Sequence, residues 1–280
     1  LVVGSGFYGS VLAERIANDL NRTVLVIDKR NHIGGNCHSE IHEETGIEFH
    51  TYGTHIFHTS SSKVWEYINR FTEFNGYRHQ VLTTFREKVY QMPINLETVN
   101  SFYNLNLRPY EVENFLKKES EKESIIKPKN FEEKAISKIG RPLYEAFIKG
   151  YTAKQWGKNP KELPASIFSR LPIRDNYCED YFVNCRWQGI PLDGYTKIFK
   201  RMLESPNIKV ELNCDFFSNR ESFKFNKGLI YTGAIDQLFD YEFGPLEWRS
   251  IELVQKTKNV KDYQGISVMN YAEQKIPFTR

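Results

Sequence analysis

The chain has 280 residues, enough for one large domain or two to three smaller ones around a sizeable core. Its net charge of +3 is too small to mark a nucleic-acid-binding protein, and its one dense charge run, 117–123 (KKESEKE), mixes signs as a solvated helix face does. There is no signal peptide, no apolar stretch of about 18 residues and no C-x-x-C pair among Cys37, Cys178, Cys185 and Cys214, which argues against secretion, membrane insertion and a disulfide framework and for a reduced, cytoplasmic enzyme.

The first elements read as a nucleotide-binding unit. Leu1-Val2-Val3 is a short apolar run, Gly4-Ser5-Gly6-Phe7-Tyr8-Gly9 follows as G-x-G-x-x-G, and Val11, Leu12, Ile16 and Leu20 recur on one face of a helix. A second apolar run, 23–27, ends at Asp28. Such glycines let the backbone turn tightly and approach a pyrophosphate, which then sits at the helix N-terminus; an acid closing the second strand can accept hydrogen bonds from ribose hydroxyls. A plain glycine turn, with Asp28 as a solvated strand end, would not require strand, helix, strand and acid in that order. Gly34-Gly35, between Lys29 and Asn36, is a second glycine pair close behind the acid. It reads as an ordinary turn or, in its resemblance to the flavoproteins that include amine oxidases, as backbone passing close to FAD.

All seven histidines precede residue 80, and His38 and His42 are four apart. Glycine and β-branched neighbours do not support a helix presenting both as metal ligands, so no metal is expected. A helix is predicted over 62–74, with Val64, Trp65, Ile68 and Phe71 on one side, and strands over 80–85 and 88–92. A helical region begins at Pro93-Ile94-Asn95-Leu96. Within it, Pro109 opens one helix, and Gly140 separates helices over 131–139 and 142–151. Short strands then mix with a helix over 195–203; strands are predicted over 208–212, 228–232, 251–256 and 265–271, with Gly233 closing the second of these.

Several segments in order resemble the UDP-galactopyranose mutase family. They are Tyr52-Gly53-Thr54-His55-Ile56-Phe57-His58-Thr59, Met92-Pro93-Ile94-Asn95-Leu96, and Tyr151-Thr152-Ala153-Lys154-Gln155-Trp156-Gly157 running on to Ser169-Arg170-Leu171-Pro172-Ile173-Arg174. Gly189-Ile190-Pro191-Leu192-Asp193-Gly194-Tyr195, Tyr231-Thr232-Gly233-Ala234-Ile235-Asp236, Asn270-Tyr271 and Pro277-Phe278-Thr279-Arg280 continue the series. The resemblance implies an α/β fold: a Rossmann-like FAD-binding domain (1–78 and 188–240), a helical insertion (96–172) and a mostly antiparallel β-sheet domain (79–95, 173–187 and 241–280). It implies an FAD-dependent isomerase that interconverts UDP-galactopyranose and UDP-galactofuranose through a reduced-flavin N5–sugar adduct. It further implies a homodimer and a product destined for galactofuranose-containing surface glycans.

Motif and resemblance together give a cofactor set of Gly4, Gly6, Phe7, Gly9, Asp28, Lys29, Gly34, Gly35, Asn36, His55, Ile56, Thr232 and Gly233. By resemblance, Tyr151 and Trp156 bind uridine, either ring having helix core as its alternative; Tyr181, Arg170 and Arg280 meet the diphosphate, Arg170 from a mobile loop; and Asn270 lies near the sugar. Arg170, Arg280, His55 and His58 are the expected catalytic residues, His55 or His58 poising the flavin unless the pair is structural. Arg174 reads equally as a second loop arginine or a solvated one. Thr54 and Ala234 replace family prolines, and the residue beside the substrate near His79 and Gln80 stays unassigned. The chain is expected to be truncated at both ends, lacking further tyrosines, an arginine and an aspartate of the family. Two rivals follow: an amine-oxidase-type flavin oxidoreductase, and an inactive module that binds flavin or UDP-sugar.

Overall fold

The computed structural model describes residues 1–169 and 171–280. In chain order the elements are β1 (Val2–Val3), α1 (Phe7–Asp19), β2 (Val24–Ile27), β3 (Ser39–Ile41), β4 (Glu48–His50), β5 (Phe57–Thr59) and α2 (Ser62–Ile68). There follow β6 (Val81–Phe85), β7 (Lys88–Met92), α3 (Leu96–Tyr103), α4 (Pro109–Glu121), α5 (Phe131–Leu143), α6 (Gly150–Trp156) and α7 (Ala165–Phe168). The last are β8 (Trp187–Gly189), α8 (Tyr195–Met202), β9 (Ile208–Glu211), β10 (Ile230–Tyr231), α9 (Ile235–Leu238) and β11 (Met269–Tyr271). They fall into two compact units, Leu1–Tyr77 with Asn184–Trp248, and Arg78–Val183 with Arg249–Arg280. The helical segment and the hairpin, separate parts in the sequence reading, belong to one unit.

The first unit is built on a parallel sheet of order β10-β1-β2-β9, with Val2 opposite both Ile230 and Val26, and Val24 opposite Ile208. Valine and isoleucine suit strands covered on their faces. Helix α1 lays Ala13 and Ala17 on Val2, Val24, Val26 and Leu203, where small side chains let helix and sheet approach closely. On α8 the 3.6-residue period buries Tyr195, Ile198, Phe199 and Met202 against Ile68, Phe71 and Phe7 and leaves Lys197, Lys200 and Arg201 outside. Glu14 is fully buried in α1, and its carboxylate accepts from Tyr67 Oη (2.6 Å) and Asn18 Nδ2 (2.9 Å), with the Arg70 guanidinium at 3.3 Å. Those partners offset the cost of removing the charge from water.

In the second unit the core joins Tyr90 and Ile94 to Leu96, Val112, Phe131, Ile136, Ile139, Tyr144 and Phe147. Pro109 is the first residue of α4, and the Glu111 carboxylate accepts the Arg108 N–H at 2.7 Å. Gly140 has φ +74°, which breaks helical geometry inside α5, and a wide π turn, Tyr144–Lys149, follows before α6. Strands β6 and β7 form an antiparallel hairpin from Val81↔Met92 to Phe85↔Lys88, and β11 adds to β6 in parallel, Asn270 opposite Thr83. The predicted strand over 251–256 is absent: Ile251 and Val254 are exposed and the segment pairs with nothing among the described residues. Only Met269–Tyr271 of the strand predicted over 265–271 forms, and 178–186 forms none. Alternating apolar residues become a strand only where a neighbour offers a free edge. Helix α2 also stops at Ile68, six residues short of its predicted end, though Phe71 and Phe74 still pack into the core.

Candidate active site and cofactor cleft

At the C-terminal ends of the parallel strands of the first unit lies a cleft of about 360 Å³. From the predicted cofactor set, Gly4, Gly6, Asp28, Lys29, Gly35, Asn36, Thr232 and Gly233 line it. Val3, Arg30, Cys214, Asp215, Phe216, Phe217, Tyr231, Ala234 and Gln237 complete the wall; the sequence reading assigned none of these to the cofactor. The signal available was positional, because they follow or end β1, β2, β9 and β10, and ligands of parallel sheets bind outside the carboxyl ends of strands.

The cleft has the features a dinucleotide requires. Gly4 has φ +103°, open to glycine and strained for other residues. A Cβ on Gly9 would run into the Gly4 carbonyl, and one on Gly35 would lie 3.0 Å from Gly6 Cα. The Gly34 N–H donates to the Ser5 carbonyl at 3.0 Å, so the second glycine pair is held directly against the first loop. Asp28 is buried, not solvated: Oδ2 accepts from the Ser5 N–H (2.8 Å) and Ser5 Oγ (2.7 Å), and Oδ1 from the Arg30 N–H (3.0 Å). It therefore braces the glycine loop as well as facing the cleft, where its remaining lone pairs can accept ribose hydroxyls. Arg30 donates to Asn36 Oδ1 at 2.8 Å and stands 4.4 Å from the Tyr52 ring centroid. The backbone N–H groups, the glycine cradle and the carboxylate fit the adenosine-diphosphate part of a dinucleotide cofactor.

Other predicted residues of this unit lie outside that wall. Phe7 packs on Phe199 and Tyr195 at centroid distances of 4.7 and 6.2 Å. His55 and Ile56 do not line the cleft; the His55 N–H donates to His50 Nδ1 (3.1 Å), and both imidazoles lie near the Tyr195 ring. His58 Nδ1 contacts Cys185 Sγ at 3.2 Å. Burial lowers the pKa of both His50 and His58. His38 meets Thr196 Oγ1 at 3.1 Å, and His42 meets Thr45 Oγ1 at 3.1 Å.

The remaining predicted residues gather in the second unit. Tyr151 and Trp156 lie on α6, which ends at Gly157 with φ +62°. Trp156 is 42% exposed, so its ring is not core. Arg280 Nη2 donates to Tyr151 Oη at 3.1 Å. Tyr181 is anchored by its N–H to the His79 carbonyl (2.8 Å), and its ring meets the His79 imidazole edge-on at 5.4 Å. Burial pulls the His79 pKa down, and the charge of Arg280 acts in the same direction. His79 thus stands against Tyr181, a neighbour that spacing could not assign. Asn270 has a buried Oδ1 with no hydrogen-bond partner among the described residues. Arg174 is not the solvated arginine of one reading: it is 9% exposed and Nη1 donates to the Cys178 carbonyl at 2.7 Å. Arg170 lies outside the described residues.

No helix among the described residues is long and apolar enough to cross a membrane. Residues 2–71 match the NAD(P)-binding Rossmann-like domain family, and residues 146–280 match the UDP-galactopyranose mutase family. A crystal structure of reduced UDP-galactopyranose mutase shares the fold, with TM-score 0.57 and 16% identity over 75% of this chain. The chain spans about half of that structure, 48%. A dTDP-fucopyranose mutase of Escherichia coli is 40% identical over 284 residues, covering 100% of this chain and 74% of that protein. A Klebsiella pneumoniae protein named "Probable UDP-galactopyranose mutase" is 41% identical over 281 residues, covering 100% and 71%. With identity at that level along its whole length, the chain belongs to the UDP-galactopyranose mutase family.

Proposed function

We propose that this protein binds FAD and interconverts UDP-galactopyranose and UDP-galactofuranose, with the flavin reduced. The observation that carries the reading is the Tyr151–Arg280 contact. These residues stand 129 apart in sequence, were each matched to the uridine–diphosphate site by resemblance, and meet at 3.1 Å. The chemistry FAD supplies when bound is nucleophilic: in its reduced form it offers an electron pair to the anomeric carbon while UDP is released. The chain's own part is to bind and orient. Asp28 and the Gly4–Gly9 loop hold the adenosine end; Trp156 offers an exposed indole face to the uracil. Arg280, joined by Arg170, holds the departing diphosphate as a delocalised cation that never loses its charge. Homodimer formation and supply of surface glycans belong to the same proposal and rest on resemblance.

A second reading is favoured by the 40% identity to a dTDP-fucopyranose mutase. Here the substrate carries deoxythymidine and a 6-deoxy sugar, and the reacting ring contraction is the same. One experiment separates the readings. The product of the complete gene is incubated with UDP-galactofuranose or dTDP-fucofuranose, with and without dithionite, and the pyranose form is quantified by chromatography. Conversion of the UDP sugar only under reduction supports the proposal, and conversion of the dTDP sugar alone supports the second reading. No conversion of either by a folded yellow protein would favour an oxidoreductase.

A further inference from the structure

The α6 segment carries one side chain whose surroundings the proposed chemistry does not use. Lys154 Nζ donates to the carbonyls of Tyr271 (2.7 Å), Glu273 (3.0 Å), Ile276 (3.1 Å) and Phe278 (2.8 Å). An ammonium has three N–H groups, so four acceptors saturate it, one proton being shared. The loop therefore curls around a single point charge, as backbone carbonyls curl around a cation. Its two ends are tied together, because the Tyr271 N–H donates to the Thr279 carbonyl at 2.9 Å. The floor is closed by Gly150, also on α6: a Cβ there would strike the Ala272 carbonyl and the Gln274 nitrogen. Asn270 precedes this loop and Arg280 follows it, so both residues assigned to the sugar and diphosphate stand at its ends.

We propose that Lys154 is a positioning residue, its ammonium organising the 271–278 loop so that Arg280 is held at Tyr151 before substrate arrives. The inference rests on the diphosphate role given to Arg280. Its ammonium is spent on main-chain carbonyls, which assigns it to shaping the loop rather than to binding substrate. Arginine cannot replace it, because a planar fork cannot converge on four carbonyls as a compact ammonium does.

The test uses the full chain with four variants, Lys154→Met, Lys154→Arg, Arg280→Ala and the Lys154→Met/Arg280→Ala double variant, read by UDP titration and by hydrogen–deuterium exchange. Lys154→Met is expected to speed amide exchange across 271–279 at least tenfold, leave exchange in α1 and β2 unchanged, and raise the UDP Kd at least fivefold. The double variant is expected to bind UDP no more weakly than Arg280→Ala, since residues acting through one another are not additive. Lys154→Arg, which keeps the charge, is expected to fail as Lys154→Met does, and it gives the same readings should Lys154→Met not fold. Faster loop exchange with unchanged UDP affinity would overturn the proposal, as would fully additive losses or unchanged exchange. If Arg280→Ala itself leaves UDP affinity intact, the diphosphate role of Arg280 falls, while the exchange result still decides whether Lys154 organises the loop.

Discussion

At the scale of single residues, Asp28 and Trp156 differ in how their roles are carried. Asp28 accepts two hydrogen bonds from Ser5 and one from the Arg30 backbone, so it serves the glycine loop before any ligand binds. Asp28→Ala is expected to strand the buried Ser5 N–H and hydroxyl, at a cost of about 1–3 kcal/mol in stability. It should also lower the flavin-to-protein absorbance ratio of the purified protein; an unchanged ratio with an unchanged melting curve would remove Asp28 from both tasks. Trp156 is 42% exposed and has no comparable packing role. Trp156→Ala is expected to weaken UDP binding by about 1–3 kcal/mol, the scale of one aromatic stack on a base, with little loss of stability. Titration calorimetry measures the first and a thermal melt the second. Asp28 was legible in the sequence because its partners are local in the fold pattern. Arg174 was not: only tertiary structure places it beneath the Cys178 carbonyl.

At the scale of elements, two glycines act by what they exclude. Gly9 lies in the first turn of α1, under the nucleotide loop, where a methyl group would run into the Gly4 carbonyl. Gly140 holds φ +74° with Glu119 directly against its missing Cβ, and the break it makes precedes the π turn and α6. Gly140→Ala is expected to destabilise the protein by about 1–3 kcal/mol, from left-handed backbone strain and that collision. Urea denaturation checks it, and a loss under 0.5 kcal/mol, roughly the scale of a neutral surface change, would show that the break relaxes freely. The helices of the second unit were readable because their apolar period, caps and the Pro109 start agree. The strand over 251–256 was misread because alternation says nothing of whether a pairing edge is near. The π turn was invisible, since widening by one residue leaves no mark in the composition.

At the scale of the whole molecule, the histidines set an acid limit. His38, His50, His58 and His79 all have folded-state pKa values below the ordinary value, with burial the largest cause in each. Above that ordinary value, about 6.5, both folded and unfolded forms are neutral and these groups contribute no pH dependence. Below it the unfolded chain takes up protons first, so stability falls with falling pH until the folded histidines titrate as well. At His50 the cost is concrete, because its Nδ1 already accepts the His55 N–H. The melting temperature is expected to fall from pH 7 to pH 5, and His50→Asn, which keeps an acceptor, to flatten that fall; an equal slope in the variant would assign the acid sensitivity elsewhere. By itself the sequence determined the nucleotide motif, its acid, most of the helices and the family, because each is written in spacings of a few residues or in segments carried whole. Only the tertiary structure decided that Phe216 and Tyr231 wall the cofactor cleft, that His79 joins Tyr181, and that Lys154 is ringed by four carbonyls. Those neighbours meet through strand pairing and loop closure between distant parts of the chain, and no local period records which distant residues will share an edge.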